Sequence, residues 1–276
     1  MEFKCALITG GGGGIGKTLA KYFISQGKKV IIAGRTESNL QNARKEIGAA
    51  AYYVLDTGVV SEIPAFVRRV TSEHPDLDCL VNNAGVQRPL SVIEMAPDEF
   101  LDKADQEINI NIRGPLHLAL RFLSHFNEKP HALIINVSSI LEFAPFSLIN
   151  PVYNGTKALV HAWSINLRYS KEIRYMRTQY MLFSTLLLHR AQLEGTGVKV
   201  VEMVPPTVET ALPRERKNPD DNKKSSNPNS LSLDEFISEV SKGLESGDET
   251  VAAGMAVNLV EQWDETLGNA FRKLKN

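Results

Sequence analysis

The chain carries five consecutive glycines directly after an apolar run, in the segment Thr9–Thr18, TGGGGGIGKT. Glycine is costly inside helices and strands, and it is tolerated where the backbone must approach another group closely. We therefore expect these glycines to form a turn and not to pack in the core. A phosphate is the natural ligand of a turn that leads into a helix, because the free N–H groups and the helix dipole both favour an anion.

Two phosphate-binding motifs overlap in this segment. Gly11 together with Gly16, Lys17 and Thr18 matches the P-loop pattern G-x-x-x-x-G-K-T, in which the lysine would reach the terminal phosphates of a nucleotide. The same segment also matches a dinucleotide-binding pattern, T-G-x-x-x-G-x-G, which starts at Thr9. The glycines alone do not separate the two interpretations.

Residues that follow the later apolar runs favour a dinucleotide. A P-loop enzyme needs an acidic residue at the end of a later strand to hold Mg²⁺, and Asp56 is the one candidate. The second apolar run ends at Arg35, where a dinucleotide fold contacts the adenosine ribose. An acid there would bind the 2′-hydroxyl of NAD, whereas a guanidinium suits a 2′-phosphate. We therefore predict that NADP(H) is preferred, with NAD(H) as the alternative cofactor.

Short apolar runs alternate with longer segments of helical periodicity along the chain. We predict strands at 3–9, 29–34, 51–55, 77–82, 132–138, 198–204 and 250–253, and helices at 15–26, 37–47, 59–74, 100–126 and 151–168. This alternation requires parallel strands with helical crossovers. The prediction is one α/β domain over residues 1–276, a Rossmann-type doubly wound parallel sheet with helices on both faces. Ligands bind at the carboxyl ends of such strands.

The composition and net charge of the chain limit the kinds of binding partner and the cellular compartment that we expect. The 276 residues are 43% hydrophobic and carry a formal net charge of -1, which argues against nucleic acid or an anionic membrane surface as a partner. No apolar run is long enough to span a bilayer, and no signal peptide precedes the first strand, so we expect a cytoplasmic protein. Cys5 and Cys79 lie in apolar runs and are predicted core residues, which fits a reducing compartment.

The six histidines show no ligand spacing with carboxylates or thiols, so no metal site is expected.

Three motifs downstream bear on catalysis. Asn82-Asn83-Ala84-Gly85 follows the fourth apolar run, Ser138-Ser139 follows the fifth, and Tyr153 and Lys157 lie four residues apart at the start of a helix. This spacing places both side chains on one face of the helix. A nearby ammonium favours the phenolate, so we expect Lys157 to lower the pKa of Tyr153 from its usual value of about 10.

Together these motifs resemble the short-chain dehydrogenase/reductase family, over nearly the whole chain except 169–192 and 213–229. Pro206, in Pro205-Pro206-Thr207-Val208-Glu209-Thr210, and the segment Leu193–Gly197 are similar to the DltE-like branch of that family. The resemblance implies that Asp56 meets the adenine edge and that Thr210 holds the nicotinamide amide. The implied cofactor-binding residues are Gly10, Gly12, Gly14, Ile15, Gly16, Arg35, Asp56, Asn83, Ala84, Gly85, Tyr153, Lys157, Pro205, Val208 and Thr210.

The resemblance also implies a catalytic set, which is Asn111, Ser139, Tyr153 and Lys157. Tyr153 would act as general acid in reduction and as general base in oxidation. Ser139 would orient the substrate oxygen and Lys157 would bind the nicotinamide ribose. Asn111 would hold a water that relays protons.

Two of these assignments have a neighbouring alternative. Asn109 competes with Asn111, and Ser138 competes with Ser139, which is preferred because its spacing from Tyr153 is nearer to that of the family.

Two stretches depart from the regular alternation. Residues 169–192 prolong a helix and are interpreted as an insertion, either an amphipathic extension that contacts a partner or a membrane surface, or a translated intron. The insertion falls on the helix that the family commonly uses for oligomer contacts, so assembly as a homodimer or homotetramer stays open. Residues 213–229 are polar and rich in Pro, Asn and Ser, and we predict a flexible loop beside the substrate.

The sequence thus predicts an NADP(H)-preferring oxidoreductase that transfers hydride between nicotinamide and a small-molecule carbonyl or secondary alcohol. A non-catalytic dinucleotide-binding regulatory protein of the same fold is the alternative, and a P-loop phosphotransferase is a third. No segment indicates which carbonyl compound is the substrate.

Overall fold

A parallel sheet forms the centre of the computed structural model, which describes residues 1–169, 197–213 and 215–275. The seven strands are β1 (Cys5–Thr9), β2 (Lys29–Gly34), β3 (Ala51–Val54), β4 (Cys79–Asn82), β5 (Ala132–Val137), β6 (Val198–Val204) and β7 (Thr250–Ala252). They pair in the order β3-β2-β1-β4-β5-β6-β7, and each pair is parallel. The predicted doubly wound sheet is confirmed.

Helices cover both faces of this sheet. They are α1 (Gly14–Ser25), α2 (Glu37–Ile47), α3 (Ile63–Glu73), α4 (Pro97–Ile108), α5 (Gly114–Phe126), α6 (Pro151–Tyr169), α7 (Leu233–Ser246), α8 (Ala256–Trp263) and α9 (Asn269–Lys275). The single helix predicted for 100–126 begins earlier and is interrupted by a π-helical turn, Asn109–Arg113. The helix predicted from residue 59 begins only at Ile63, because residues 56–58 form a turn held by Asp56.

The last three helices were missing from the sequence prediction, although α7 carries a readable signal. Ser232 and Glu235 form a capping box at its start, and Phe236, Val240 and Leu244 follow at helical spacing and are buried.

The core consists of one apolar layer on each face of the sheet. Cys79 belongs to the layer that contains Phe23 of α1 and Phe236 of α7. Cys5 belongs to the opposite layer, which includes Phe122 of α5. Both cysteines are fully buried free thiols, as predicted.

One of the five glycines packs against this core, so the expectation that none would do so is wrong. Gly11 is buried, and a Cβ added to it would lie 2.7 Å from Cβ of Ile32 in β2. Its neighbours differ in this respect, since a Cβ on Gly13 would meet nothing within 4 Å. The segment therefore combines a packing glycine with glycines that border open space.

We expect Gly11→Ala to destabilise the protein by about 1–3 kcal/mol, because the added methyl group overpacks the contact with Ile32. Gly155→Ala is the matched control. Gly155 is exposed inside α6 with no atom within 4 Å of an added Cβ, so the same change should stabilise by about 0.5–1 kcal/mol. Urea unfolding of the two variants measures both values. Equal free energies of unfolding for the two variants would contradict the packing role of Gly11.

The predicted insertion at 169–192 lies outside the described residues except for Tyr169, the last residue of α6. Its interpretation as a helix extension or a translated intron therefore stays a prediction. Within the described ranges, no helix combines the length and apolar character that crossing a bilayer requires.

Candidate active site

The carboxyl ends of the central strands border a cavity of about 590 Å³, a volume typical of small-molecule sites. Most of the residues expected to bind cofactor or substrate line this cavity. They are Gly10, Gly12, Gly14, Ile15, Arg35, Asn83, Ala84, Gly85, Ser139, Tyr153, Lys157, Pro205, Val208 and Thr210. Gly16, Asp56 and Asn111 do not line it.

Gly16 instead lies where the start of α1 packs closely against the glycine turn at Gly10. A Cβ on Gly16 would lie 2.5 Å from the carbonyl oxygen of Gly10 and 2.5 Å from Nδ2 of Asn83. Gly10 has a φ of 68°, and Nδ2 of Asn83 donates to the carbonyl oxygen of Thr9 at 2.8 Å. The hydroxyl of Thr9 in turn accepts from the backbone N–H of Asn83 at 3.0 Å. The glycine turn and the segment after β4 are therefore fixed to each other.

The beginning of α1 suits an anion. Gly12, Gly13 and Gly14 line the cavity where the helix starts, and the first turn of α1 contains no acidic residue. Gly14 has a φ of 50°, a conformation that favours glycine. An added Cβ at Gly13 would meet nothing within 4 Å, so open space remains above the backbone. This cradle fits the phosphates of a dinucleotide.

The P-loop interpretation is wrong, because Lys17 does not face the cavity. Its Nζ donates to the carboxylate of Glu46 at 3.0 Å, near the surface. A P-loop lysine must instead reach the terminal phosphates of the nucleotide.

Arg35 and Asp56 follow the neighbouring strands β2 and β3 but take different positions. Arg35 is exposed and lines the cavity, and among the described residues we find no hydrogen bond or ion pair to its guanidinium. Its donors are therefore available to an anionic group. Oδ1 of Asp56 accepts from the backbone N–H of Gly58 at 2.9 Å, while the flanking Leu55 and Thr57 line the wall. Asp56 itself does not line the cavity, and its expected contact with the adenine edge stays a prediction.

Tyr153 and Lys157 both face the cavity from the first two turns of α6 and are buried. Nζ of Lys157 lies 5.5 Å from the centre of the Tyr153 ring and donates to the carbonyl oxygen of Val137 at 2.8 Å. Ser139 follows β5 and lies beside the tyrosine, and its hydroxyl accepts from the backbone N–H of Leu141 at 3.2 Å. The competing Ser138 directs its hydroxyl to the carbonyl oxygen of Met203 at 3.2 Å.

The phenol of Tyr153 is held in its protonated form. Burial raises the pKa of Tyr153 well above its ordinary value, and the charge of Glu107 raises it further. Hydrogen bonding from Ser139 and the positive charge of Arg216 act in the opposite direction without reversing the shift. We expected Lys157 to lower the pKa of Tyr153, and this expectation is wrong for the protein without bound cofactor. The pKa is raised, because desolvation outweighs the neighbouring charges.

The pKa of Lys157 is lowered, which favours the uncharged amine. Burial lowers the pKa of Lys157 to about 8, and nearby carboxyl groups of Glu142, Glu107 and Glu202 oppose this change. The ammonium of Lys157 thus loses its proton over a pH range close to neutral.

Asn111 lies in the π-helical turn between α4 and α5 and supports the cavity wall from behind. Its Oδ1 accepts from the backbone N–H of Val86 at 2.9 Å, and its Nδ2 donates to the carbonyl oxygen of Val86 at 2.9 Å. A further hydrogen bond runs from Nδ2 to the hydroxyl of Thr156 at 3.2 Å. The alternative residue, Asn109, accepts from Arg113 at 2.9 Å on the exposed side. The proposed water-holding role of Asn111 stays a prediction.

Sequence reasoning missed Arg216, which reaches the cavity from the polar loop 213–229. Its Nη2 donates to Oε1 of Gln87 at 2.8 Å and to Oδ1 of Asn150 at 2.8 Å, and its Nη1 contacts Asp221 at 2.6 Å. Asn222 of the same loop is buried and donates to the carbonyl oxygen of Val208 at 2.8 Å. These hydrogen bonds hold Arg216 and Asn222 of the loop against residues of the cavity wall. The flexibility of the loop stays a prediction. No motif in the sequence indicated these contacts.

One exposed apolar side chain, Phe146, lies at the cavity wall. Phe146 lines the cavity, and Leu148, Ile149, Val92 and Ile93 are exposed in the adjacent segments. The hydrogen bond from Leu90 to Ile149 holds these two segments side by side.

His161 lies close to two carboxyl groups, a contact that the spacing of the histidines in the sequence did not indicate. His161 lies with Nδ1 2.9 Å from Oε2 of Glu202 and 3.4 Å from Oε1 of Glu142. These residues come from three separate elements, so their positions along the chain gave no signal.

Known proteins resemble the chain in both sequence and structure. The sequence model of the short chain dehydrogenase family matches residues 4–179. An uncharacterized oxidoreductase, DltE of Bacillus subtilis, is 32% identical over 251 residues, which cover 91% of this chain and 88% of the relative.

Two solved structures share the fold. A short-chain dehydrogenase from Sphingobium yanoikuyae in complex with NADPH superposes with a TM-score of 0.75 at 21% identity, covering 99% of this chain and 95% of the other. A short-chain dehydrogenase/reductase from Burkholderia phymatum in complex with NAD gives a TM-score of 0.72 at 17% identity, covering 91% and 89%.

The sequence matches and the site indicate the same family. One cavity is lined by the glycine turn and by the side chains of Ser139, Tyr153 and Lys157. The chain belongs to the short-chain dehydrogenase/reductase family and is an NAD(P)-dependent oxidoreductase.

Proposed function

We propose that the protein prefers NADP(H) and transfers hydride between nicotinamide and the carbonyl or secondary alcohol carbon of a small molecule, with Tyr153 as general acid and base. One observation carries the proposal. A single cavity joins the glycine turn and Arg35 to the side chains of Ser139, Tyr153 and Lys157.

The residues present fit a phosphorylated dinucleotide. Gly12, Gly13 and Gly14 line the cavity at the start of α1, with open space beside Gly13, and Arg35 offers a guanidinium for a 2′-phosphate. Lys157 would hold the ribose next to the nicotinamide, and Thr210, whose methyl group borders Gly14, would contact the amide. When bound, the cofactor supplies the hydride donor or acceptor that the protein side chains lack.

Tyr153 has the protonation state that carbonyl reduction requires. Its raised pKa keeps the phenol protonated at neutral pH, so it can donate a proton to the substrate oxygen. The hydroxyl of Ser139, on the adjacent segment, would donate a hydrogen bond to the same oxygen. In the oxidation direction Tyr153 would first have to lose its proton, and the ammonium of Lys157 would stabilise the phenolate that then accepts the alcohol proton.

The apolar residues of the cavity wall guide the choice of test substrates. Phe146, Leu141 and Leu212 line the cavity and favour carbonyl compounds with bulky aliphatic or aromatic substituents. The panel should therefore include such ketones and aldehydes beside small polar ones.

Thermal unfolding with added nucleotides tests the cofactor preference. At a concentration of about 100 times Kd, a ligand that binds the native state stabilises it by about 2.7 kcal/mol. We expect NADPH to raise the Tm more than NADH at equal concentration, and ATP to leave it unchanged. An equal or larger effect of NADH would contradict the NADP preference.

A carbonyl screen that follows NADPH consumption then tests the activity. We expect turnover of at least one member of the panel. NADPH binding without turnover across the whole panel would instead favour a regulatory protein of the same fold. The two buried free thiols, Cys5 and Cys79, fit a reducing compartment, and we propose the cytoplasm on that ground.

A further inference from the structure

Two carboxyl groups and one imidazole meet next to the elements that carry the active site, in a group that we call the Glu-His-Glu cluster: Glu142, His161 and Glu202. Glu142 ends a short 3-10 turn, His161 belongs to α6 and Glu202 belongs to β6. Because the three residues come from three separate elements, their spacing in the sequence could not indicate a metal site, and none was expected.

The ligand atoms of the cluster have nearly the separation that a small metal ion requires. Nδ1 of His161 lies 2.9 Å from Oε2 of Glu202 and 3.4 Å from Oε1 of Glu142. One ligand atom from each residue lies within 4.8 Å of the other two. Zn²⁺ binds nitrogen and oxygen at about 2.0–2.2 Å in a tetrahedron, so neighbouring ligand atoms are about 3.3–3.6 Å apart. Small side-chain movements would give the cluster this geometry.

Both carboxyl groups are buried, and they have oxygens without partners. The side chains of Glu142 and Glu202 are 0% exposed. Both oxygens of Glu142 and Oε1 of Glu202 accept no hydrogen bond from the residues that the structure describes. The neighbouring hydroxyl of Ser138 donates instead to the carbonyl oxygen of Met203 at 3.2 Å. Buried charges are normally paired or bind metals, so these oxygens indicate a ligand other than a protein side chain.

The charges of the cluster are not balanced by a basic side chain. Within the described ranges, we find no lysine or arginine that pairs with Glu142 or Glu202. Lys157, on the same helix as His161, donates to the carbonyl oxygen of Val137 at 2.8 Å. A neutral imidazole with two ionised carboxylates carries two negative charges, and one divalent cation would neutralise both.

The donor set selects the class of metal. One imidazole nitrogen and two carboxylates suit Zn²⁺ and similar first-row ions, whereas Mg²⁺ and Ca²⁺ prefer oxygen ligands alone. An ion can reach the cluster beside His161, whose side chain is 13% exposed. The imidazole otherwise packs against the rings of Phe143 and Trp263, at 5.0 and 4.7 Å between ring centres.

The position of the cluster indicates a structural role for the ion. None of the three residues lines the cavity, although each is three or four residues away from one that does. Those neighbours are Ser139, Lys157 and Pro205. A bound ion would therefore join the 3-10 turn, α6 and β6, which carry these side chains, without contacting the substrate.

We propose that Glu142, His161 and Glu202 bind one divalent transition-metal ion such as Zn²⁺, which holds together three elements of the active site. Nδ1 of His161 gives up its proton to bind the ion, while Nε2 keeps the proton of the ring. A water molecule completes the tetrahedron. This site lies outside the proposed function and does not depend on it.

Titration with ZnCl₂ tests the site directly. The full-length chain, free of any affinity tag, is stripped with EDTA and followed by calorimetry. We expect one Zn²⁺ per chain, and a large excess of Mg²⁺ should not compete. At about 100 times Kd, Zn²⁺ should raise the Tm by about 5 °C, and EDTA should reverse this shift. Absence of Zn²⁺ binding would overturn the proposal, because the cluster would then be held by protons alone.

Two variants and a matched control locate the binding. His161→Gln and Glu202→Gln each remove one ligand, so each should weaken Zn²⁺ binding by about 100-fold or more. His131→Gln makes the same histidine change at the surface, where His131 lies 3.4 Å from Glu2 alone and is 60% exposed. This control should leave the affinity unchanged. Full-strength binding by folded Glu202→Gln, or an equal loss in His131→Gln, would contradict the assignment.

Anomalous diffraction at the zinc absorption edge decides the question if the variants do not fold. Crystals of the unmodified protein with Zn²⁺ should show a peak between the three side chains of the cluster. A peak at Cys5 or Cys79, or at surface histidines only, would overturn the proposal. These measurements need neither NADPH nor a carbonyl compound, so failure of the proposed function would leave their outcome unaffected.

Discussion

Replacing Tyr153 with Phe is expected to lower kcat for carbonyl reduction by about 10²–10⁴-fold, the range that general acid catalysis contributes. The change removes only the phenolic hydroxyl from a buried ring that lies beside Ser139 and Lys157. NADPH binding should persist, because the glycine turn and Arg35 are untouched. Steady-state kinetics together with NADPH titration by fluorescence measure both effects.

Tyr22→Phe serves as the control for this prediction. The hydroxyl of Tyr22 donates to Glu245 at 2.7 Å between α1 and α7, away from the cavity. Loss of this hydroxyl should leave kcat unchanged. Comparable kcat values for Tyr153→Phe and the unmodified enzyme would show that another group supplies the proton.

Arg35→Ala should weaken NADPH binding by about 10–100-fold while leaving NADH binding nearly unchanged. A hydrogen bond to a charged group contributes about 1.5–3 kcal/mol, and about 1.4 kcal/mol corresponds to a factor of ten. The guanidinium of Arg35 is exposed at the cavity wall, where its donors are available to the extra phosphate of NADPH. Isothermal titration with each cofactor separates the phosphate contribution from the rest of the dinucleotide.

Lys17→Ala is the matched loss of a basic side chain from the same part of the fold. Because Lys17 pairs with Glu46 away from the cavity, its removal should change neither affinity. If Arg35→Ala weakened NADPH binding and NADH binding equally, Arg35 would not contact the 2′-phosphate. A strong effect of Lys17→Ala would bring a phosphate contact by this lysine back into consideration.

Much of the fold could be predicted because the signals are local. Strand and helix periodicity repeat within short segments, and alternating strands and helices permit only parallel pairing with crossovers. The strand boundaries of the structure lie within two residues of those predicted. The position of Tyr153 and Lys157 on one face of α6 follows equally from the helical repeat.

The candidate site was predicted less completely, for a different reason. The direction of a side chain depends on partners that fold brings from far along the sequence. Lys17 pairs with Glu46 away from the cavity, so it does not reach the place that the P-loop motif suggested. Arg216 reaches Gln87 across 129 residues of sequence, and no pattern near either residue indicates the contact.

The sequence by itself thus determined the parallel sheet, the glycine turn at the start of α1 and the position of Tyr153 and Lys157 on one face of α6, because backbone periodicity and motif spacing are local properties. Only the tertiary structure decided that Gly11 packs on Ile32, that burial raises the pKa of Tyr153, and that Glu142 and Glu202 meet at His161. Burial and the charges of distant neighbours set these properties, and neither exists until the chain has folded.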